Sequence, residues 1–374
     1  IGLLPAGAPT FFWLNSADSS YEIAAPGSND RSQYVEKGFE APSTIRGNIA
    51  LDLIVGNGYE VTLEYNNDRV NQALGYVDPG IVKTGTLADG RGTFRSSGSL
   101  GLTNIDKGGA EAYTLSLNKE WDFGLRLYAA YTNMDAEDVW NLTSSQAGSN
   151  YGYQQRWGAN PIGATPSQYS IEHRMLAVLD YSARFIGDNE TRFSLIFNRQ
   201  SGEPYSISID TSRGLNGPSY GDYDLAYVPT GINDGVVQFS SPEVAAAVMA
   251  HVNGTDLSKY KGTYAPRGAF TSPWLTRMDL RISQEIRLPE FAAAIGENKA
   301  VVFLDVLNFG NLLDDESGIV REYSYNNSRQ FNSSGTTDDG RIIITGVDTD
   351  DNLRTLTGDG KSSWELRAGF SYKF

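Results

Sequence analysis

The sequence predicts an all-β chain: an antiparallel wall of about eleven strands with long loops at one end, built to cross a membrane as part of a β-barrel. Three observations predict it. Successive short segments alternate apolar and polar residues, the period of a strand with two unlike faces. The connections alternate short and long, as in a meander with tight turns at one end and large loops at the other. The polar faces hold paired opposite charges, while aromatic residues (Tyr59, Tyr131, Trp274, Trp364, Phe374) sit near strand ends, where the interfacial girdles of a membrane barrel belong.

Taken in order, Arg46 to Ile54 sets Gly47, Ile49, Leu51 and Leu53 against Arg46, Asn48 and Asp52. Tyr59 to Asn66 sets Tyr59, Val61, Leu63 and Tyr65 against Glu60, Thr62, Glu64 and Asn66. Tyr113, Leu115 and Leu117 oppose Thr114, Ser116 and Asn118; Leu125, Leu127, Ala129 and Tyr131 oppose Arg126, Tyr128 and Thr132. Trp274, Thr276, Met278, Leu280 and Ile282 oppose Arg277, Asp279, Arg281 and Ser283. The last segment is the cleanest: Trp364, Leu366, Ala368, Phe370, Tyr372 and Phe374 face one way, Glu365, Arg367, Gly369, Ser371 and Lys373 the other. Less regular strands are expected near 171–184, 190–201, 299–309, 318–326 and 339–347.

Short connections fall near 55–57, 121–122, 185–189, 288–298 and 327–338; long ones span 69–109, 135–170 and 202–271, with 310–317 and 348–362 on the same side. Residues 1–43 also belong to the long-loop side, which leaves 44–374 for the strands and their loops. One helix is expected, inside the 202–271 loop. Ser241 serves as N-cap, Pro242 takes the first turn, Glu243 favours the positive end of the dipole, and Val244, Val248, Met249 and Val252 form an apolar stripe that Gly254 ends. Alternation alone would equally suit a soluble sandwich with its apolar face buried. A loop of that length is uncommon in a compact sandwich, and the charged faces (Arg277, Asp279, Arg281 and Asp305; Glu365 and Arg367) suit a wet lumen.

Composition excludes several classes. The 374 residues carry 45 acidic and 30 basic side chains, a net charge of −15, with no cysteine and two histidines. The acidic balance argues against nucleic acid as a partner. The absence of cysteine removes disulfides and thiolate metal sites. No run approaches the ~20 apolar residues of a spanning helix, a test blind to barrels. The chain begins Ile1-Gly2-Leu3-Leu4-Pro5 without a leader, so a fragment of a longer product is expected.

No enzymatic site is expected. Ser116-Leu117-Asn118-Lys119 matches an S-x-x-K nucleophile pattern, but on a strand residues i and i+3 point to opposite faces. His173 reads as a packing residue at a strand start, and His251 suits a helix C-terminus. No resident cofactor is expected, although Asp348, Asp350 and Asn352 are spaced like the start of a calcium loop; Leu353 stands where that loop needs glycine, and a solvated acidic loop is the competing reading. The loop aromatics Trp140, Tyr151, Tyr153, Trp157 and Tyr169 are candidates to stack on a ligand, against the alternative of a self-packed loop.

Several blocks resemble a known family. The terminal Phe370-Ser371-Tyr372-Lys373-Phe374 looks like the signal read by the barrel-assembly machinery of Gram-negative outer membranes, with Phe370, Tyr372 and Phe374 as its aromatics. Ala130-Tyr131-Thr132 through Asp135-Ala136-Glu137-Asp138-Val139, Thr143-Ser144-Ser145-Gln146-Ala147, Ile171-Glu172-His173-Arg174-Met175, Phe197 to Tyr205, Trp274 to Glu285, and above all Phe303-Leu304-Asp305-Val306-Leu307-Asn308-Phe309-Gly310-Asn311-Leu312-Leu313 resemble the barrel of Oar-like TonB-dependent receptors, the subgroup with a carboxypeptidase-regulatory-like domain.

The resemblance implies the C-terminal half of a 22-stranded, plugged barrel, with the plug domain and TonB box absent from this stretch. It also implies outer-membrane localisation, ligand capture at extracellular loops, uptake energised through the TonB complex, and a small-molecule or peptide ligand. Two other readings stand beside it. A passive porin or a component of a multi-chain barrel would conduct ions without a plug. A soluble all-β binding or adhesin module would bury Leu125, Leu127, Phe370 and Tyr372 in a core.

Overall fold

The computed structural model describes residues 33–373 apart from 97, 159, 161–162, 212–213, 216, 218–222, 288–298 and 349–352. Nine long strands run antiparallel to their neighbours in chain order: β1 (Ser43–Val55), β2 (Tyr59–Val77), β3 (Gly109–Glu120), β4 (Leu125–Asp138), β5 (His173–Ile186), β6 (Asn189–Gln200), β7 (Leu275–Arg287), β8 (Lys299–Leu307) and β9 (Glu365–Lys373). Each has the 9–11 residues a tilted strand needs to cross a bilayer, or more. The short strands Gln33–Val35 and Leu100–Ile105 extend the sheet beside the loop end of β2, and Thr165–Pro166 pairs with β4. Among the described residues the sheet does not close: β1 pairs only with β2, and β9 only with β8.

The register explains why alternation was such a good guide. Leu53, Val61, Leu117, Ala129, Ala177, Phe197 and Met278 lie side by side across seven strands. The next row towards the turns holds Leu127, Leu179, Leu195, Leu280, Val306 and Leu366 across six. The opposite face sets Glu120, Arg126, Asp180, Ser194, Arg281, Asp305 and Arg367 in one row. A one-residue slip anywhere would exchange the two sets. Ser116 and Lys119 accordingly point to opposite faces, and Lys119 reaches the Asn57 carbonyl in the β1–β2 turn.

Tight turns close one end. Gly124, between β3 and β4, has φ +90° and its carbonyl accepts from Ser182 N; a Cβ there would lie 2.1 Å from the Ser182 carbonyl oxygen. Gly187, between β5 and β6, has φ +57° with open space around it.

The other end differs from the sequence expectation. The 318–326 and 339–347 segments are not wall strands, and 327–338 is not a turn. All three belong to one long connection between β8 and β9. Arg321–Tyr323 pairs with Leu353–Thr355. Asn327–Thr336 and Ile342–Val347 join a six-stranded mixed sheet with Asp224–Leu225, Pro204–Asp210, Val237–Phe239 and Phe270–Thr271. The reason lies in the side chains. Ile342-Ile343-Ile344 does not alternate, and Ile342, Ile344 and Phe331 are almost wholly buried, as suits a strand covered on both faces rather than a one-sided wall.

This cap has its own hydrophobic core. Ile207, Ile209, Val228, Val248, Val252, Leu257, Phe331, Ile342 and Ile344 pack together there. Helix Pro242–Gly254 lays Val248 and Val252 into it, with Val244 and Met249 packed alongside, and the Ser241 hydroxyl accepts from Val244 N at 3.3 Å. Two shorter helices, Ala147–Gly152 and Phe309–Leu313, were not expected; neither is long enough to carry a periodic stripe. No helix among the described residues is long and apolar enough to cross a membrane.

Candidate functional site

Two surfaces hold the residues that the sequence singled out. The polar wall face gathers all six charged candidates. Arg281 grips Asp305 with two hydrogen bonds, at 2.5 and 2.7 Å, and Arg367 grips Glu365 the same way, at 2.7 and 3.0 Å. Arg277 reaches Asp279 at 3.2 Å, and Asp279 also accepts from the backbone of Asn308 at 2.7 Å. Strand alternation aims these side chains one way, and cross-strand register brings Asp305 between Arg281 and Arg367. A groove of about 340 Å³ lined by Asp180, Ser194, Asp279, Arg281 and Asp305 runs along this face.

The loop aromatics separate into groups. Trp140 and Tyr151 are buried, with ring centroids 5.9 Å apart, and Tyr76 meets Trp140 edge-on at 5.8 Å; with Leu100 and Val139 they form a second small core. These two rings hold the loop together, the self-packed alternative. Trp157 stacks on Tyr264 at 4.0 Å. Tyr153 stacks on Tyr325 at 5.5 Å and packs on buried Tyr223 at 5.2 Å, leaving Tyr153 and Tyr325 partly open to solvent. Tyr169 stands apart and is 65% exposed.

Four residues here escaped the sequence reading. Tyr325 and its neighbour Asn326 both have left-handed backbone (φ +54° and +51°), a conformation costly for a bulky side chain. It is held in place: Gln155 donates to the Tyr325 carbonyl at 2.9 Å, and the Asn326 side chain donates to Glu203 and to the Pro204 carbonyl. Arg91 is buried, paired with Asp89 at 2.6 Å, donates to the Leu225 carbonyl at 2.9 Å, and lies 4.3 Å from the Trp157 ring centre. Arg156 is 3% exposed, and its guanidinium lies 4.3 Å from the Tyr151 ring centre. Burial lowers its basicity, opposed by Tyr151, Asp224 and Asp78, and burial pushes the Tyr151 hydroxyl up to about 12. The available signal was local: Gln154-Gln155-Arg156-Trp157 sets a cation among loop aromatics.

The remaining candidates are quickly placed. Phe370 and Tyr372 lie on the apolar face, 66% and 39% exposed; Phe374 lies outside the described residues. Of the calcium set, Asp350 and Asn352 lie outside them too, and Asp348 donates its backbone N–H to the Gln330 carbonyl. His173 accepts or donates at 2.9 Å to the Tyr131 hydroxyl and is stacked with Tyr131 and Trp274 at the loop end of the apolar face. His251 bonds Gln330 at 2.8 Å within the cap.

No family model matches the chain, and no curated protein matches it. Among solved structures the chain is similar to BauA, the ferric preacinetobactin receptor from Acinetobacter baumannii, at 10% identity and a TM-score of 0.37, over 88% of this chain and 29% of that one. The chain thus spans 29% of that receptor's length.

Proposed function

We propose that this chain is a wall segment of a TonB-dependent outer-membrane receptor, in which the loop cap captures a ligand for uptake through a plugged barrel. One observation carries the reading. The wall's apolar face is open (Ile49 67%, Leu115 48% and Phe370 66% exposed), while the packed hydrophobic core sits in the loop cap. Water would penalise such a face, at roughly 25 cal/mol per Å², and lipid would not. The soluble-module alternative puts Leu125, Leu127, Phe370 and Tyr372 in a core; Leu125 and Leu127 are half-buried, and Phe370 and Tyr372 are exposed. On this reading the charged ladder around Arg281 and Asp305 faces the lumen. In lipid, the unpaired outer edges of β1 and β9 need partner strands, which the rest of the barrel supplies. The barrel-assembly machinery and the TonB complex are the implied partners.

The chain has no cysteine, so single cysteines test the topology directly. Expressed in a Gram-negative host, Tyr169→Cys should react with a membrane-impermeant maleimide on intact cells. Asp188→Cys, in the β5–β6 turn, should react only after lysis. Equal labelling of both before lysis, or of neither, would overturn the assignment.

A further inference from the structure

The loop end holds an excess of unsatisfied hydrogen-bond donors. None of the three guanidinium nitrogens of Arg156 has a hydrogen-bond partner among the described residues, and the side chain is almost wholly buried. The other orphan atoms on the 78–108 and 139–172 connections, Arg91 Nη2 and Trp140 Nε1, are donors as well. A buried donor left unmade costs its full desolvation, more so when charged, so this guanidinium is expensive as it stands.

Nearby carboxylates offset its charge without meeting its hydrogen bonds. Asp78 accepts from Gly80 N and from the Ser96 hydroxyl, and Asp224 from Leu215 N at 2.5 Å. Arg91 is already committed to Asp89 and to the Leu225 carbonyl. What Arg156 lacks is an acceptor with two oxygens in one plane, which a carboxylate supplies and a guanidinium fork matches. With Asp78 and Asp224 close enough to act on the guanidinium, a dianion is disfavoured and a monoanion tolerated. Three residues before it, Tyr153 and its stacking partner Tyr325 are half-open to solvent, and Tyr153 packs on Tyr223, whose carbonyl accepts from Arg156 N at 3.3 Å.

We propose that Arg156 is the anchor for a monocarboxylate group on the captured ligand, with the tyrosine pair as the adjoining stacking surface. This rests on reading the loop end as a ligand-capture cap.

The test uses the full chain in detergent, with benzoate as probe and acetate, inorganic phosphate and neutral benzamide as comparisons, at constant ionic strength. Tryptophan fluorescence should report saturable benzoate binding, weaker binding of acetate and phosphate, and none of benzamide. Arg156→Met should weaken benzoate by about tenfold to a hundredfold, the range for a charged hydrogen-bonded pair. Arg174→Met, whose guanidinium bonds Asn198 on the polar wall face, should bind like the wild type.

A second readout guards against a folding artefact. Without ligand, Arg156→Met should melt lower, because Asp78 and Asp224 lose the cation that offsets them, whereas Arg156→Lys, which keeps the charge but not the planar fork, should melt close to the wild type and still bind benzoate more weakly than it does. No saturable response in the wild type, an unchanged response in Arg156→Met, or wild-type benzoate binding by Arg156→Lys would each overturn the proposal. Benzoate binding together with failed surface labelling at Tyr169→Cys would sink the receptor reading and leave the site; correct labelling without benzoate binding would sink the site alone.

Discussion

An arginine scan along β3 tests the two-faced wall most sharply. Leu117 lies four residues from Tyr113 and four from Trp121, about 14 Å of strand from each aromatic end at ~3.4 Å per residue. It sits in the seven-strand row whose every member is apolar. In a bilayer, Leu117→Arg therefore puts a charge near the middle of the hydrocarbon, at a cost of about 2–4 kcal/mol. At 1.4 kcal/mol per tenfold, that lowers the folded-to-unfolded ratio roughly thirty- to nearly a thousandfold. Ser116→Arg, the next residue back, points to the polar face between Thr62 and Ala130. Asp52, already bonded to Thr62 at 2.6 Å, lies one strand further on, and the change should stay within about 0.5 kcal/mol. Tyr113→Arg, at the aromatic level, should cost about 0–1 kcal/mol. Denaturant unfolding of the chain within its complete barrel in phospholipid vesicles, followed by tryptophan fluorescence, measures all three. A flat profile along Tyr113, Leu115 and Leu117, or a Ser116→Arg penalty matching that of Leu117→Arg, refutes the face assignment. The depth gradient matters most, since a soluble core would penalise arginine without regard to its distance from the aromatic ends.

Three further outcomes follow from particular geometries. Gly124→Ala should destabilise the wall well beyond Gly187→Ala: both have left-handed backbone, worth about 1 kcal/mol against alanine, but only Gly124 would drive a methyl into a backbone oxygen, at 2.1 Å; equal melting points would refute this. Asp234 accepts from Thr230 N and its hydroxyl and from Val236 N, and these bonds, with the Tyr227 hydroxyl, outweigh burial and hold its carboxyl below the ordinary range. Its folded value is the lower one, so its contribution is present above the unfolded pKa of ~3.9 and lost as pH falls through the folded value; acid-induced hydrogen exchange at Thr230 and Val236 should show this loss, and Asp234→Asn should abolish the pH dependence. Tyr325→Gly relieves a strained backbone and should leave the cap as stable or up to ~1 kcal/mol more so, while weakening any ligand that stacks on Tyr153; a marked loss of stability would show that the ring is chiefly structural.

The wall was legible and the cap was not, for one physical reason. In a one-sided strand the environment of each residue is set by its parity, so Trp364 to Phe374 announces its two faces without knowledge of any neighbour. The cap's burial comes from contacts far apart in sequence. Pro204–Asp210 pairs in parallel with Asn327–Thr336, and Val237–Phe239 with Ile342–Val347, pairings that leave no local period. Helix Pro242–Gly254 was readable because its cap, proline and stripe are all local. The aromatic candidates divide into buried and open rings because a ring's exposure depends on what covers it. Trp140 and Tyr151 are covered by one another, whereas Tyr153 is open only where Tyr325, 172 residues on, stacks beside it.

The distribution of local irregularity then points to the working end. In the nine wall strands, pattern, register and side-chain pairing agree, the consistency expected of a scaffold. Every described non-glycine residue with positive φ, namely Leu142, Asn308, Tyr325 and Asn326, lies in a long connection. Among the described residues, so do Arg91 Nη2, Trp140 Nε1, Asn308 Oδ1 and the three guanidinium nitrogens of Arg156, each buried without a hydrogen-bond partner. Features of this kind each cost stability, and they persist where something other than stability selects them. Arg156, almost wholly buried and with no hydrogen-bond partner for its guanidinium among the described residues, is the strongest reason to look for a ligand at this end of the molecule.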